Sequence, residues 1–172
     1  MDIRKNFIAA AMAVAAVTPV PAVAAPVAQA NGHALILVPL SLTKIDDLDF
    51  GTVIKSSTSG TVVLNANTGA RSFTGGVTGV ATSAGNRALF GGAGTAGQQV
   101  VVVVVPPAEL TNFSGDKIEV VALTIDNNGN PIRTVDSVTR TFFVNVGGIL
   151  NIGANQPDGL YSATFTVTAN YL

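Results

Sequence analysis

The chain has 172 residues, 48% hydrophobic and 11% charged, with 18 glycines, one histidine, and neither cysteine nor tryptophan. That length defaults to one domain with its own core, and the missing cysteines exclude disulfides, thiolate metal sites and cysteine nucleophiles. A net charge of −1 gives no electrostatic case for nucleic acid, which needs clustered Lys and Arg.

Residues 1–24 read as a secretory signal peptide. Arg4 and Lys5 supply the positive start, and the apolar run 7–17 is too short to span a bilayer. Pro19 and Pro21 break it. Cleavage is expected after Ala24, with Ala30 as the alternative, because small residues occupy both sites. No later apolar run reaches spanning length, so no transmembrane segment is expected in the mature chain. Export through the periplasm, to the cell surface or an extracellular fibre, is the expected route.

From residue 34 onward the signal is strand and turn, with apolar residues at period 2 between Gly, Asn, Asp and Ser clusters. The first expected strand is 33–43, in which Ala34, Ile36, Val38, Leu40 and Leu42 share one face. Pro39 places it at an edge or bend. Strands at 48–54 and 60–65 follow, then a weak one at 70–80. The Gly-, Ala-, Thr- and Ser-rich stretch 74–97 reads as loop, with one short strand around 88–90. Residues 99–105 hold six consecutive valines and suit a strand buried on both faces. Such a run is an aggregation hazard when exposed.

Residues 117–126 alternate and lead into an Asn-rich turn at 127–130. Strands at 138–146 and 149–152 are expected to flank Gly147-Gly148. The last, 160–172, alternates most clearly: Tyr161, Ala163, Phe165, Val167, Ala169 and Tyr171 on one face, polar residues on the other. The expected fold is therefore all-β, an immunoglobulin-like β-sandwich. Residues 25–43 form an N-terminal arm or first strand, and 44–172 a single sandwich domain.

Chemistry is sparse. His33 stands alone near the start of the mature chain, so neither a triad nor a histidine metal site is available. Asp46, Asp47 and Asp49 suit a turn and a solvated strand face better than a cation site. The loop 126–130 has its glycine too early for a calcium loop and no glutamate at the twelfth position. The glycines at 91–94 lack the lysine and helix of a phosphate cradle. Carboxylates Asp47, Asp49, Asp116 and Asp158 leave only a remote hydrolase reading. No catalytic, cofactor or metal residue is assigned, and the chain reads as non-enzymatic.

Leu40-Ser41-Leu42-Thr43-Lys44, Leu48-Asp49-Phe50-Gly51-Thr52, Gly60-Thr61-Val62-Val63-Leu64 and Phe143-Val144-Asn145-Val146-Gly147-Gly148 resemble a family of exported proteobacterial proteins described only as a domain of unknown function. The closing run from Asp158-Gly159-Leu160-Tyr161 to Thr168-Ala169-Asn170-Tyr171 is the strongest match. That ending is also similar to chaperone–usher pilus subunits. The resemblance implies a sandwich lacking its final strand, completed first by a periplasmic chaperone and then by the N-terminal arm of another subunit. It further implies head-to-tail self-association, with Ile36, Val38, Leu40 and Leu42 as donor side chains. Tyr161, Phe165, Val167 and Tyr171 would form the terminal strand and groove. The chain departs from many such subunits in having no cysteine, and cleavage after Ala30 would leave a short arm. A complete sandwich, acting as a stand-alone exported adhesin or glycan-binding module with 74–97 as its recognition surface, is the alternative.

Overall fold

The computed structural model describes residues 26–172; the expected signal peptide, 1–24, lies outside them. The chain divides into two units, one ending at Leu35 and the other Ile36–Leu172. Residues 26–35 carry no regular secondary structure.

The second unit holds every described strand: β1 Ser41–Asp46, β2 Val53–Ile54, β3 Gly60–Leu64, β4 Arg71–Phe73, β5 Thr78–Gly79, β6 Ala88–Ala93, β7 Gln99–Val105, β8 Glu109–Thr111, β9 Lys117–Ile125, β10 Ile132–Thr134, β11 Thr141–Ile152 and β12 Thr166–Tyr171. A single 3-10 turn, Asn127–Gly129, is the only helical element among the described residues. No helix there is long and apolar enough to cross a membrane. The fold is all-β and sandwich-like, as the alternation implies.

β11 is the spine of the large sheet. Its first half pairs with β6 and its second half with β3, end to end along one edge, while β9 pairs along the other. β1 adds outside β6, β4 outside β3 and β8 outside β9. All pairings are antiparallel. The expected turn at Gly147-Gly148 is instead the middle of this strand. A Cβ on Gly147 would lie 2.1 Å from the Leu64 carbonyl oxygen, so glycine is needed where β11 passes from β6 to β3 and the backbones close up.

A similar reason turns the expected loop around 91–94 into strand. Gly92 stands opposite Phe142, and Gly91 opposite Phe143. A Cβ on Gly92 would lie 2.2 Å from Cζ of Phe142. The β6 glycines are thus sockets for aromatic rings from β11.

The second sheet is β10-β7-β12, with β7 in the middle. The valine run is buried on one face, not two. Val100 and Val102 are buried, whereas Val103 is 46% and Val105 55% exposed. Among the described residues, no third layer covers the outer face. Inward, Val100, Val102 and Val104 pair with Tyr171, Ala169 and Val167 of β12. These meet Ala88, Phe90, Phe142, Val144 and Val146 of the large sheet in the first core. Each fully buried aliphatic side chain there contributes roughly 1.5–3 kcal/mol.

The chain crosses from β9 in one sheet to β10 in the other through Asp126 and Arg133. Arg133 Nη2 donates to Asp126 Oδ1 at 2.5 Å, and Asn145 Nδ2 donates to Asp126 Oδ2 at 2.8 Å. Arg133 Nε also donates to the Phe143 carbonyl of β11. Asn127 and Asn128 take the left-handed conformation in the crossing turn, which Asn tolerates better than most residues. The carboxylate that opens the calcium-like stretch is therefore engaged by Arg133 and Asn145.

Candidate functional site

The second core gathers Val62, Val77, Ile118, Val120, Leu150 and Ile152 on the other half of the large sheet. No strand of the three-stranded sheet packs over it. It is flanked instead by segment 48–55, which ends in the short strand β2 paired with β5, and by segment 156–165. Between them runs a groove of about 680 Å³. Its floor is Ile118, Val120, Leu123, Leu150 and Ile152; Leu48, Phe50 and Val53 line one bank, and Tyr161 and Phe165 the other. The volume and apolar lining are those of a binding groove.

Each bank is held by a local device. On the first, Arg71 Nη1 donates to the carbonyls of Phe50 (2.8 Å) and Ser83 (2.9 Å), and Nη2 to that of Val80 (2.9 Å). Its guanidinium sits 5.0 Å from the Phe73 ring centroid. This planar fork fastens 50–52 to 80–83, a geometry for which Lys is a poor substitute. On the second bank, Tyr161 Oη donates to the Pro157 carbonyl and accepts from Gln156 Nε2. Lys55 Nζ and Asp158 Oδ1, 3.8 Å apart and both well exposed, face each other across the mouth. Such a solvated pair contributes little.

The four residues expected on the terminal strand are divided: regular strand begins only at Thr166, so Tyr161 and Phe165 precede it. Tyr161 packs on the second core; Phe165, Val167 and Tyr171 pack on the first. Phe165 meets Phe90 edge to face at 5.9 Å. β12 is an edge strand whose backbone pairs only with β7. The Leu172 amide donates to Gln99 O. Its register with β7 turns the backbone groups of Val167, Ala169 and Tyr171 outward, because hydrogen-bonding direction alternates along an antiparallel strand.

The four donor-type residues are divided. Leu42 lies in β1 opposite Gly92, and Leu40 and Leu42 both pack on the first core of their own chain. Ile36 is 90% exposed and Val38 49%. Regular strand begins only at Ser41, and β1 crosses the expected boundary between arm and domain. Val38 marks the change. Its amide donates to Thr95 Oγ1 at 2.7 Å, and its carbonyl accepts from Tyr171 Oη at 2.8 Å. Tyr171 Oη in turn accepts from the Thr95 amide at 2.7 Å.

A family model described as a domain of unknown function, DUF4402, matches residues 40–171. The chain belongs to the DUF4402 family. The DUF4402 match begins at Leu40, which packs on the first core, and leaves Ile36 and Val38 outside. No curated protein and no solved structure matches the chain.

The remaining candidate residues are dispersed. His33 lies in the leading unit, without regular structure. Asp47 pairs with Lys44 at 2.6 Å, and Asp49 Oδ1 accepts from the Gly51 amide. Among the described residues, no group of three or more His, Asp or Glu is placed to hold a metal ion. Asp136, outside the groove lining, is held below the usual carboxylate range by the Thr139 amide first, then the Val138 amide and the Thr139 hydroxyl. Sequence reasoning missed Arg71 and the Leu48, Phe50 and Val53 bank. The alternation of 117–125 did place Ile118 and Val120 inward.

Proposed function

We propose that this DUF4402 domain is an exported, non-enzymatic structural subunit that joins its neighbours by β-strand addition. The observation that carries the reading is the apolar groove between segments 48–55 and 156–165, over a half of the large sheet that the three-stranded sheet leaves uncovered. An extended segment laid there sets alternate side chains into the floor and offers its backbone to the C-terminal bank, the usual division of labour in strand addition. Exposed Ile36 and Val38 supply such a segment, and the outward backbone of β12, which continues from the C-terminal bank beyond the groove lining, supplies a pairing edge. Head-to-tail docking of this kind does not close on itself and yields a fibre. A periplasmic chaperone would occupy the groove in transit.

The test is assembly of the exported chain. The native protein is expected to form concentration-dependent oligomers in sedimentation and electron microscopy. Ile36→Asp with Val38→Asp is expected to abolish them while leaving the circular dichroism unchanged, because both side chains are exposed. A native chain that stays monomeric at every concentration, or a double variant that assembles normally, sinks the reading.

A further inference from the structure

Beyond the groove, two turns at the same end of the domain build a second cleft. One is the tip between β8 and β9, residues 112–115. It is rigid: the Asn112 amide donates to Asp116 O, the Gly115 amide to Asn112 O, and the Asp116 amide to Asn112 Oδ1 at 2.8 Å. Asn112 Nδ2 closes the turn on Asp116 Oδ2 at 2.9 Å. The other is segment 158–162, where Gly159 takes φ +146°. The amides of Thr111 and Ser162 each donate to the other's carbonyl at 3.1 Å and clamp the two turns at their base. The cleft between them measures about 460 Å³.

On this fixed frame Phe113 is fully exposed, and Leu160 is 87% exposed. An aromatic ring held out by a rigid turn and packed on nothing costs solubility and contributes nothing to the core. Between the two apolar walls lie the hydroxyls of Ser114 and Ser162 and the carboxylate of Asp158. Asn112 is spent on Asp116. The cleft lining holds no Lys or Arg; Lys55 Nζ, 3.8 Å from Asp158 Oδ1, stands at the groove mouth outside that lining, and the carboxylate disfavours anions. A ring platform, an aliphatic wall, hydroxyls and one carboxylate acceptor match a ligand with apolar C–H faces and many hydroxyl donors.

We propose that the cleft between the 112–115 turn and the 158–162 segment binds an uncharged saccharide. One pyranose face stacks on Phe113, and ring hydroxyls donate to Asp158 and exchange hydrogen bonds with Ser114 and Ser162. The site is shallow and solvent-open, so affinity is expected near 1 mM for a single unit, rising where many subunits present it together.

The experiment titrates the full exported chain with neutral oligosaccharides of glucose, galactose, mannose and N-acetylglucosamine, followed by NMR. At least one is expected to shift the Phe113 ring resonances and the Gly159 amide. Phe113→Ala is expected to weaken binding about tenfold, Phe113→Trp to retain it, and Asp158→Asn to weaken it with the fold unchanged. Both positions are exposed, so the variants should remain folded. A sialylated oligosaccharide should bind less well than its neutral parent. No shift with any neutral sugar at about ten times that concentration overturns the proposal. So does binding that Phe113→Ala leaves intact, or occupancy of the cleft by an apolar peptide instead. Fibre assembly is read separately, so its failure leaves this result interpretable.

Discussion

Tyr171→Phe isolates one hydroxyl that ties three parts of the chain together. The ring packs on the first core and is retained in Phe, so apolar burial is unchanged. What disappears is the bond to Val38 O at 2.8 Å and the acceptor for the Thr95 amide at 2.7 Å. The Val38 carbonyl is exposed and regains water at little cost. The Thr95 amide is part-buried, and leaving it without an acceptor costs about 1–3 kcal/mol. The expected loss is about 2 kcal/mol, or roughly 4–8 °C in Tm for a domain of this size. Calorimetry measures the global effect and hydrogen exchange the local one. Exchange should rise first at Val38 and Thr95, and proteolysis within 33–38 should quicken before the domain melts. Thr95→Ala removes the acceptor for the Val38 amide but keeps the Thr95 amide, and its effect should not simply add to that of Tyr171→Phe. A Tyr171→Phe protein melting within about 1 °C of the native one, with unchanged exchange at both amides, would refute the reasoning.

Three further outcomes are expected. Arg71→Ala should cost about 3 kcal/mol and raise hydrogen exchange at Thr52 and Val80, whose amides donate to Ser83 O and Thr52 O beside the fork; Arg71→Lys should restore only part of the protection. Gly147→Ala should prevent stable folding, because its methyl meets the Leu64 carbonyl. Gly97→Ala, with φ +73° but nothing within 4 Å of the added carbon, should cost only about 1–2 kcal/mol of backbone strain; urea melts of the two compare them. Asp136 has its folded-state pKa lowered from 3.8, so its stabilisation is complete above that value and is lost as pH falls toward and through the lowered one. Asp136→Ala should narrow the difference in unfolding midpoint between pH 6 and pH 2.5, whereas an equal pH dependence in both proteins would contradict this.

Where apolar side chains alternate and one face is wet, the strands were legible in the sequence: 60–64, 117–125 and 166–171 all lie within their expected limits. The glycine positions misled for a definite reason. Gly91, Gly92, Gly147 and Gly148 look like turn residues because a turn is the commonest local use of glycine. Here each is small because something distant in sequence needs the room: the rings of Phe142 and Phe143, the β3 backbone at Leu64, or, at Gly148, the side chains of Leu123 and Phe50. The six valines posed a different problem. Composition says that such a strand packs well, but only the number of layers decides whether one face or two is covered. The groove was half legible. Inward-facing Ile118, Val120, Leu150 and Ile152 follow from alternation, but which elements lie over them depends on where the three-stranded sheet ends. Alternation also treats Ile36, Val38, Leu40 and Leu42 as equivalent. Pairing of β1 with β6 from Ser41 onward separates them, since it draws Leu40 and Leu42 inward and leaves the side chains of Ile36 and Val38 exposed.

The position of β7 also sets an order of events in synthesis. β7 emerges before both of its partners, and β12, which covers its second edge, comes last of all the strands. From the time Val105 leaves the ribosome until Tyr171 does, a run of six valines has an open edge, and until β11 follows, its inner face lacks Phe142, Val144 and Val146. Non-local pairing of this kind forms slowly, and an unpaired apolar edge seeks other chains meanwhile. The yield of folded protein should therefore depend steeply on chain concentration during refolding, far more than its final stability does.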